Sequence, residues 1–96
     1  MRVVYHPAAV NDLTESAKSH DERVPGLGAD FLDEVDRTVS GIAESPVRYA
    51  IVRGNIRRCM LRRFPYGVYY HKTSEGIRIL VIKHHSRHPD YGLDRE

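Results

Sequence analysis

Three clusters in the second half of the chain hold the side chains best suited to chemistry: Arg57-Arg58, Arg62-Arg63, and the block Lys83-His84-His85-Ser86-Arg87-His88. Arginine offers a planar fork of N–H donors that meets phosphate or carboxylate oxygens two at a time. Histidine can take or give a proton near neutral pH. Cleavage of RNA by its own 2′-hydroxyl needs a base, an acid and a cation beside the phosphate, and His85 and Arg87, two residues apart, could supply such roles. The plainer account of the paired arginines is a solvated edge strand whose charges discourage aggregation. His84, His85 and His88 also invite a metal. However, neighbours at a strand end point their rings apart, and an i, i+4 pair meets one ion only on a helix, so no metal and no cofactor is expected. Tyr66, Tyr69, Tyr70 and Tyr91 lie among the arginines and could stack on bases. Core tyrosines with hydroxyls at the rim are the simpler reading.

Charge divides the chain sharply. Residues 1–45 carry four Lys or Arg against nine acids, a net −5, whereas residues 46–96 carry eleven against four, a net +7. A basic half points to an anionic partner, either nucleic acid or an acidic protein segment. Acids on the solvated faces of helices and arginines on strands would produce the same split. Hydrophobic residues at 41% and charged residues at 29% describe a globular chain, and 96 residues suit one domain, 1–96, rather than two cores. No window approaches the roughly 18 to 20 apolar residues of a membrane span. The opening Met1-Arg2-Val3-Val4-Tyr5 has no apolar run behind its charge, so a secretory signal is not expected. A lone Cys59, read as a small apolar core residue, fits a reducing compartment, and the cytoplasm is the default.

The elements that must position these clusters follow from periodicity. Arg2 to Tyr5 reads as a strand stopped by His6-Pro7, with Pro7 suited to a first helical position. Ala9, Val10, Leu13 and Ala17 predict a helix over about residues 8–20, followed by a loop over Asp21–Gly26. Leu27, Phe31, Val35, Val39 and Ile42 predict a second helix ending before Pro46, antiparallel to the first. The period then changes. Strands are expected at Tyr49–Val52, Ile56–Phe64, Val68–His71 and Ile77–His84, with turns at Gly54-Asn55, Pro65-Tyr66-Gly67 and Thr73–Gly76. The run Ile79–Ile82 is apolar on both faces, as a central strand covered on both sides would be. In an extended strand residues two apart share a face, so Arg58 and Arg62 should point one way and Arg57 and Arg63 the other. The tail from His85 to Glu96 is short and polar. The expected fold class is α+β: a helical hairpin on one face of a mainly antiparallel sheet, order β-α-α-β-β-β-β, with the opposite face left free to bind.

The run Arg62-Arg63-Phe64-Pro65-Tyr66-Gly67-Val68-Tyr69-Tyr70, followed by Val81-Ile82-Lys83-His84-His85-Ser86-Arg87-His88-Pro89-Asp90-Tyr91, resembles the ParE/RelE superfamily of bacterial toxins. The likeness is closest to the ParE-like, plasmid-stabilisation branch, which typically reads R-F-P-Y-x-V-x-Y and then H-x-R-x-P. The opening Tyr5-His6-Pro7-Ala8-Ala9 before an acidic amphipathic helix is also typical of it, and the resemblance covers nearly the whole chain.

The resemblance implies the toxin of a type II toxin–antitoxin module that inhibits bacterial growth and is held by a cognate antitoxin folding on binding. RelE-like members cut mRNA on the ribosome, whereas ParE-like members inhibit DNA gyrase without cutting RNA. By likeness to the nucleolytic branch, His85 would be catalytic, with Arg87 and Tyr91 beside it. Those relatives carry an arginine immediately before the strand that begins Val68-Tyr69-Tyr70, and here that position is Gly67. The expectation is therefore a protein-binding toxin, probed through Arg58, Arg62, Arg63 and His84. A ribosome-dependent endoribonuclease using His85, Arg87 and Tyr91 is the alternative, and a non-toxic nucleic-acid-binding module a third. An uncovered strand edge also leaves room for a homodimer or a toxin–antitoxin hetero-oligomer.

Overall fold

The computed structural model describes residues Met1–Glu96. The chain runs β1 (Arg2–Tyr5), α1 (Pro7–Arg23), α2 (Leu27–Glu44), β2 (Ile51–Arg53), β3 (Ile56–Met60), β4 (Tyr66–Lys72) and β5 (Gly76–His84). The five strands form one sheet in the order β1-β5-β4-β3-β2. Only β1 and β5 pair in parallel, from Arg2 opposite Gly76 to Tyr5 opposite Ile79; the other neighbours are antiparallel.

Pro7 opens α1, where its missing N–H costs nothing, and the His6 ring accepts the Ala8 N–H at 3.0 Å as the helix cap. The helix runs three residues beyond its expected end at residue 20. Asp21 belongs to its last turn and reaches forward: its Oδ1 accepts the N–H groups of Gly26 and Gly28 at 2.9 and 3.2 Å, so one carboxylate ties the two helices together. Gly28 lets them meet closely, because a methyl group there would lie 2.5 Å from the Ala17 carbonyl oxygen.

The helical hairpin covers the front face of the sheet. Phe31, Val35, Val39 and Ile42 of α2 pack with Val68 and Tyr70 of β4 and Ile77, Ile79 and Ile82 of β5. Register slips in β5: Tyr69 faces Val81 while Tyr70 faces Ile79, leaving Leu80 as an extra residue. Leu80 and Val81 thus both join the back face, which explains why four consecutive apolar residues suit one strand.

The back face is not left open as expected. The polar tail folds over it, and Leu93 is buried with Ile56, Tyr69, Leu80 and Val81, with Tyr91 packed alongside. Strand boundaries also differ from the periodic reading, three of them by two residues or more. β2 starts at Ile51 rather than Tyr49, β3 ends at Met60 rather than Phe64, and Tyr66 and Gly67 belong to β4 rather than to a turn. Tyr66 pairs with His84, and Gly67 with both Lys83 and Met60, so the chain reverses over residues 61–65 instead.

Candidate functional site

Ending β3 at Met60 separates the arginines that alternation would have paired. Arg57 lies on the front face, where its Nη1 donates to the carbonyl oxygens of Val47 and Tyr49 at 3.1 and 2.7 Å. That guanidinium is committed to holding the chain before β2. Arg58 turns to the back face and is exposed. Arg62 and Arg63 sit in the β3–β4 turn rather than on the strand, so Arg62 does not share a strand face with Arg58. Their backbone N–H groups both point at the buried carboxylate of Glu34 in α2, which accepts Arg63 N–H at 3.0 Å and Arg62 N–H as well. With the turn fixed from inside, both guanidiniums are held outward in solvent.

At the same end of β4, the backbone N–H of His85 donates to the Pro65 carbonyl oxygen at 2.8 Å. The His85 ring Nδ1 lies 3.2 Å from the same oxygen. A carbonyl only accepts, so Nδ1 carries the hydrogen and Nε2 is the acceptor nitrogen. The His84 ring, stacked on that of His85 at 4.5 Å, has the reverse assignment: its Nδ1 accepts the Ser86 N–H at 3.0 Å. Arg87 is exposed, with its guanidinium carbon 3.9 Å from the centre of the Tyr91 ring. The Tyr91 hydroxyl, however, turns inward. It lies 3.1 Å from Arg95 Nη2 and 3.4 Å from Asp12 Oδ1.

Lys83 and Asp12 organise this end of the molecule; the sequence marks Lys83 only as the first residue of the block 83–88 and does not single out Asp12. The buried ammonium of Lys83 donates to the carbonyl oxygens of His88, Pro89 and Tyr91 at 3.0, 2.8 and 3.1 Å, which curls the tail onto the back face. It also lies 4.7 Å above the Tyr69 ring. Burial pushes its pKa down; nearby Asp90 opposes that, while Arg87, Arg53 and Arg58 add to it. Asp12, in α1, accepts the Ile82 N–H at 3.2 Å beyond the end of β1 and pairs with Arg95 at 2.7 Å. The hydrogen bond from Arg95 to Asp12 raises the arginine's pKa. Only its position in space, not its spacing along the chain, marks Asp12.

Gly67 shows what an arginine at that position would touch. It lies on the back face, and a methyl group added to it would sit 3.0 Å from Tyr69 Cε1, 3.1 Å from Met60 Sδ and 3.4 Å from Arg58 Cδ. The arginine that reaches this neighbourhood is Arg58, not Arg62 or Arg63. Cys59, on the front side of β3, is half-buried rather than fully in the core, and burial raises its thiol pKa.

The molecule therefore presents three sets of groups: Arg62 and Arg63 on the β3–β4 turn, His84 and His85 at the strand end, and Arg58 with Arg87 and Tyr91 on the tail-covered face. No hydrogen bond joins His85 to Arg87 or Tyr91.

Comparison with known proteins agrees with this architecture. A solved chain from a chromosomal ParDE toxin–antitoxin system of P. aeruginosa superposes with a TM-score of 0.78 at 17% identity, covering 88% of this chain and 95% of that chain. That likeness establishes the fold: two helices on a five-stranded mixed sheet in the order β-α-α-β-β-β-β. No curated protein sequence matches the chain. The family model described as the ParE toxin of the type II toxin–antitoxin system, parDE, matches residues 3–89. The chain belongs to the ParE toxin family of type II toxin–antitoxin systems.

Proposed function

We propose that this ParE-type toxin inhibits bacterial growth by binding a protein target, DNA gyrase, without chemistry of its own, and that a cognate antitoxin neutralises it by covering the basic surface. One observation carries the reading. The Tyr91 hydroxyl, which a nuclease would need beside His85, is engaged by Arg95 and Asp12 on the inner side of the tail. His85 then has no second proton-transfer group bonded to it, and the position flanking Arg58 is a glycine. Arg58, Arg62 and Arg63 are exposed and suit carboxylates of a partner protein, and His84 is half-buried at the end of β5. No helix is long and apolar enough to cross a membrane, and a gyrase-directed toxin would act in the cytoplasm.

Purified toxin should block DNA supercoiling by gyrase, and His85→Ala should leave growth inhibition nearly unchanged. Intact supercoiling activity at saturating toxin would sink the proposal.

A second reading keeps one specific support. Bonding of His85 Nδ1 to the Pro65 carbonyl leaves Nε2 free to accept a proton, and Arg87 stands two residues away. A ribosome-dependent endoribonuclease built on these residues would show codon-dependent cuts that vanish in His85→Ala and in Arg87→Ala.

A further inference from the structure

A groove of about 520 Å³ opens between the α1–α2 turn and the β3–β4 turn. Its floor is aromatic. His20 lies nearly flat on Phe31, with ring centres 4.8 Å apart, and Phe64 and Tyr66 close on Phe31 at 5.2 and 4.8 Å. Val24, which is 54% exposed, and Leu27 line the hairpin side. Arg23 and Arg63 both border it and both are exposed. Arg23 takes part in none of the ion pairs of the molecule, and Arg63 makes only a 3.8 Å contact with exposed Asp30. No carboxylate lines this groove. Three other grooves each contain at least one: Glu75 lines the groove beside β1 and the β4–β5 turn, Glu34 the one between α2 and β3, and Asp12 and Glu15 the one between α1 and the end of β5.

An apolar floor beneath two cations without close partners fits a ligand with a large apolar anchor and flanking negative charge. Protein segments carry that combination, and aromatic anchors in desolvated pockets dominate protein–protein affinity. Nucleic acid fits less well. With two guanidiniums at its border, the groove would neutralise only about two phosphates, a weak hold for nucleic acid. We infer that this groove is the anchor pocket for one aromatic side chain carried by an acidic protein segment. The inference rests on the protein-partner reading of the basic surface, and it adds His20, Arg23 and Val24 to the residues involved.

The chain contains no tryptophan, so the emission of a short Asp/Glu peptide with one central Trp reports its own burial. The full-length toxin should shift that emission to the blue saturably. Replacing Trp by Ala, or the acids by Lys, should abolish binding. Arg23→Glu with Arg63→Glu, and separately Val24→Glu, change exposed side chains and should weaken binding about tenfold or more while the circular dichroism stays the same. Unchanged affinity in these variants, or no binding of the acidic Trp peptide at all, would overturn the inference. If Arg58→Glu alone weakens the peptide, the acidic segment docks on the back face; the groove then loses its role while the protein-partner reading stands. If a single-stranded oligonucleotide binds and the peptide does not, both fall.

Discussion

The guanidinium of Arg95, in the tail, lies 2.7 Å from the carboxylate of Asp12 in the first helix, with their side chains only 15% and 8% exposed. The pair caps the stretch of β5 left bare where β1 ends. Asp12 accepts the N–H of Ile82, and Arg95 donates to the carbonyl oxygen of Leu80 at 2.9 Å. Removing one partner strands the other in a low-dielectric setting, which costs more than the net attraction of the pair. Asp12→Ala or Arg95→Ala should lower stability by about 2–4 kcal/mol. The double variant should lose clearly less than the two single losses added together, as urea denaturation would measure.

Lys83 is the second fastening of the tail. Lys83→Met keeps the volume but leaves the carbonyl groups of His88, Pro89 and Tyr91 without their shared donor, at a cost of about 1–3 kcal/mol. Hydrogen exchange should rise first over residues 85–96. The lysine pKa lies below its ordinary 10.5, mainly through burial. Between the two values the unfolded chain holds the extra proton, so the wild type should gain stability relative to Lys83→Met as pH rises through that interval. A flat difference across the interval would contradict this.

Tyr70 behaves in the opposite sense. Its buried hydroxyl donates to the Pro46 carbonyl oxygen at 2.6 Å, and burial pushes its pKa up to about 12 from 10.0. Above pH 10 the unfolded chain loses that proton while the folded one keeps it. Stability present below pH 10 should therefore fall by up to about 2–3 kcal/mol as pH approaches 12. Tyr70→Phe should remove this alkaline slope. At neutral pH the same variant should cost about 1–2 kcal/mol, because Pro46 loses its donor.

Cys59 should react slowly. Burial raises its thiol pKa, outweighing the lowering effects of a Tyr49 hydrogen bond and the Arg48 charge. Thiolate is the reactive form, so at pH 8 a disulfide reagent should modify native protein much more slowly than urea-unfolded protein. Equal rates in the two states would show that the thiol is freely available.

Much of the fold was legible because its signals are local. Pro7 marks the start of α1, the Leu27–Ile42 stripe marks α2, and the apolar run Ile79–Ile82 marks a strand covered on both sides. The misreadings came from residues whose roles depend on distant partners. Tyr66 and Gly67 look like turn residues after Pro65, but pairing with His84 and Lys83 draws them into β4. Asp12 and Glu34 look like two more acids on solvated helix faces, yet each accepts backbone N–H groups from the sheet side. The tail has too few apolar residues to show a period, and Leu93 alone gives no warning that it covers the back face. The candidate site was legible as a set of residue types. Its division into a turn, a strand end and a tail-covered face was not.

The parallel pairing of β1 with β5 bears on how the toxin is made. β1 has no neighbour in the sheet until β5 is synthesised, and Asp12 waits still longer for Arg95. Contacts so far apart in sequence form slowly and late. A chain cut before β5 cannot close its sheet, because β1 then has no strand to pair with.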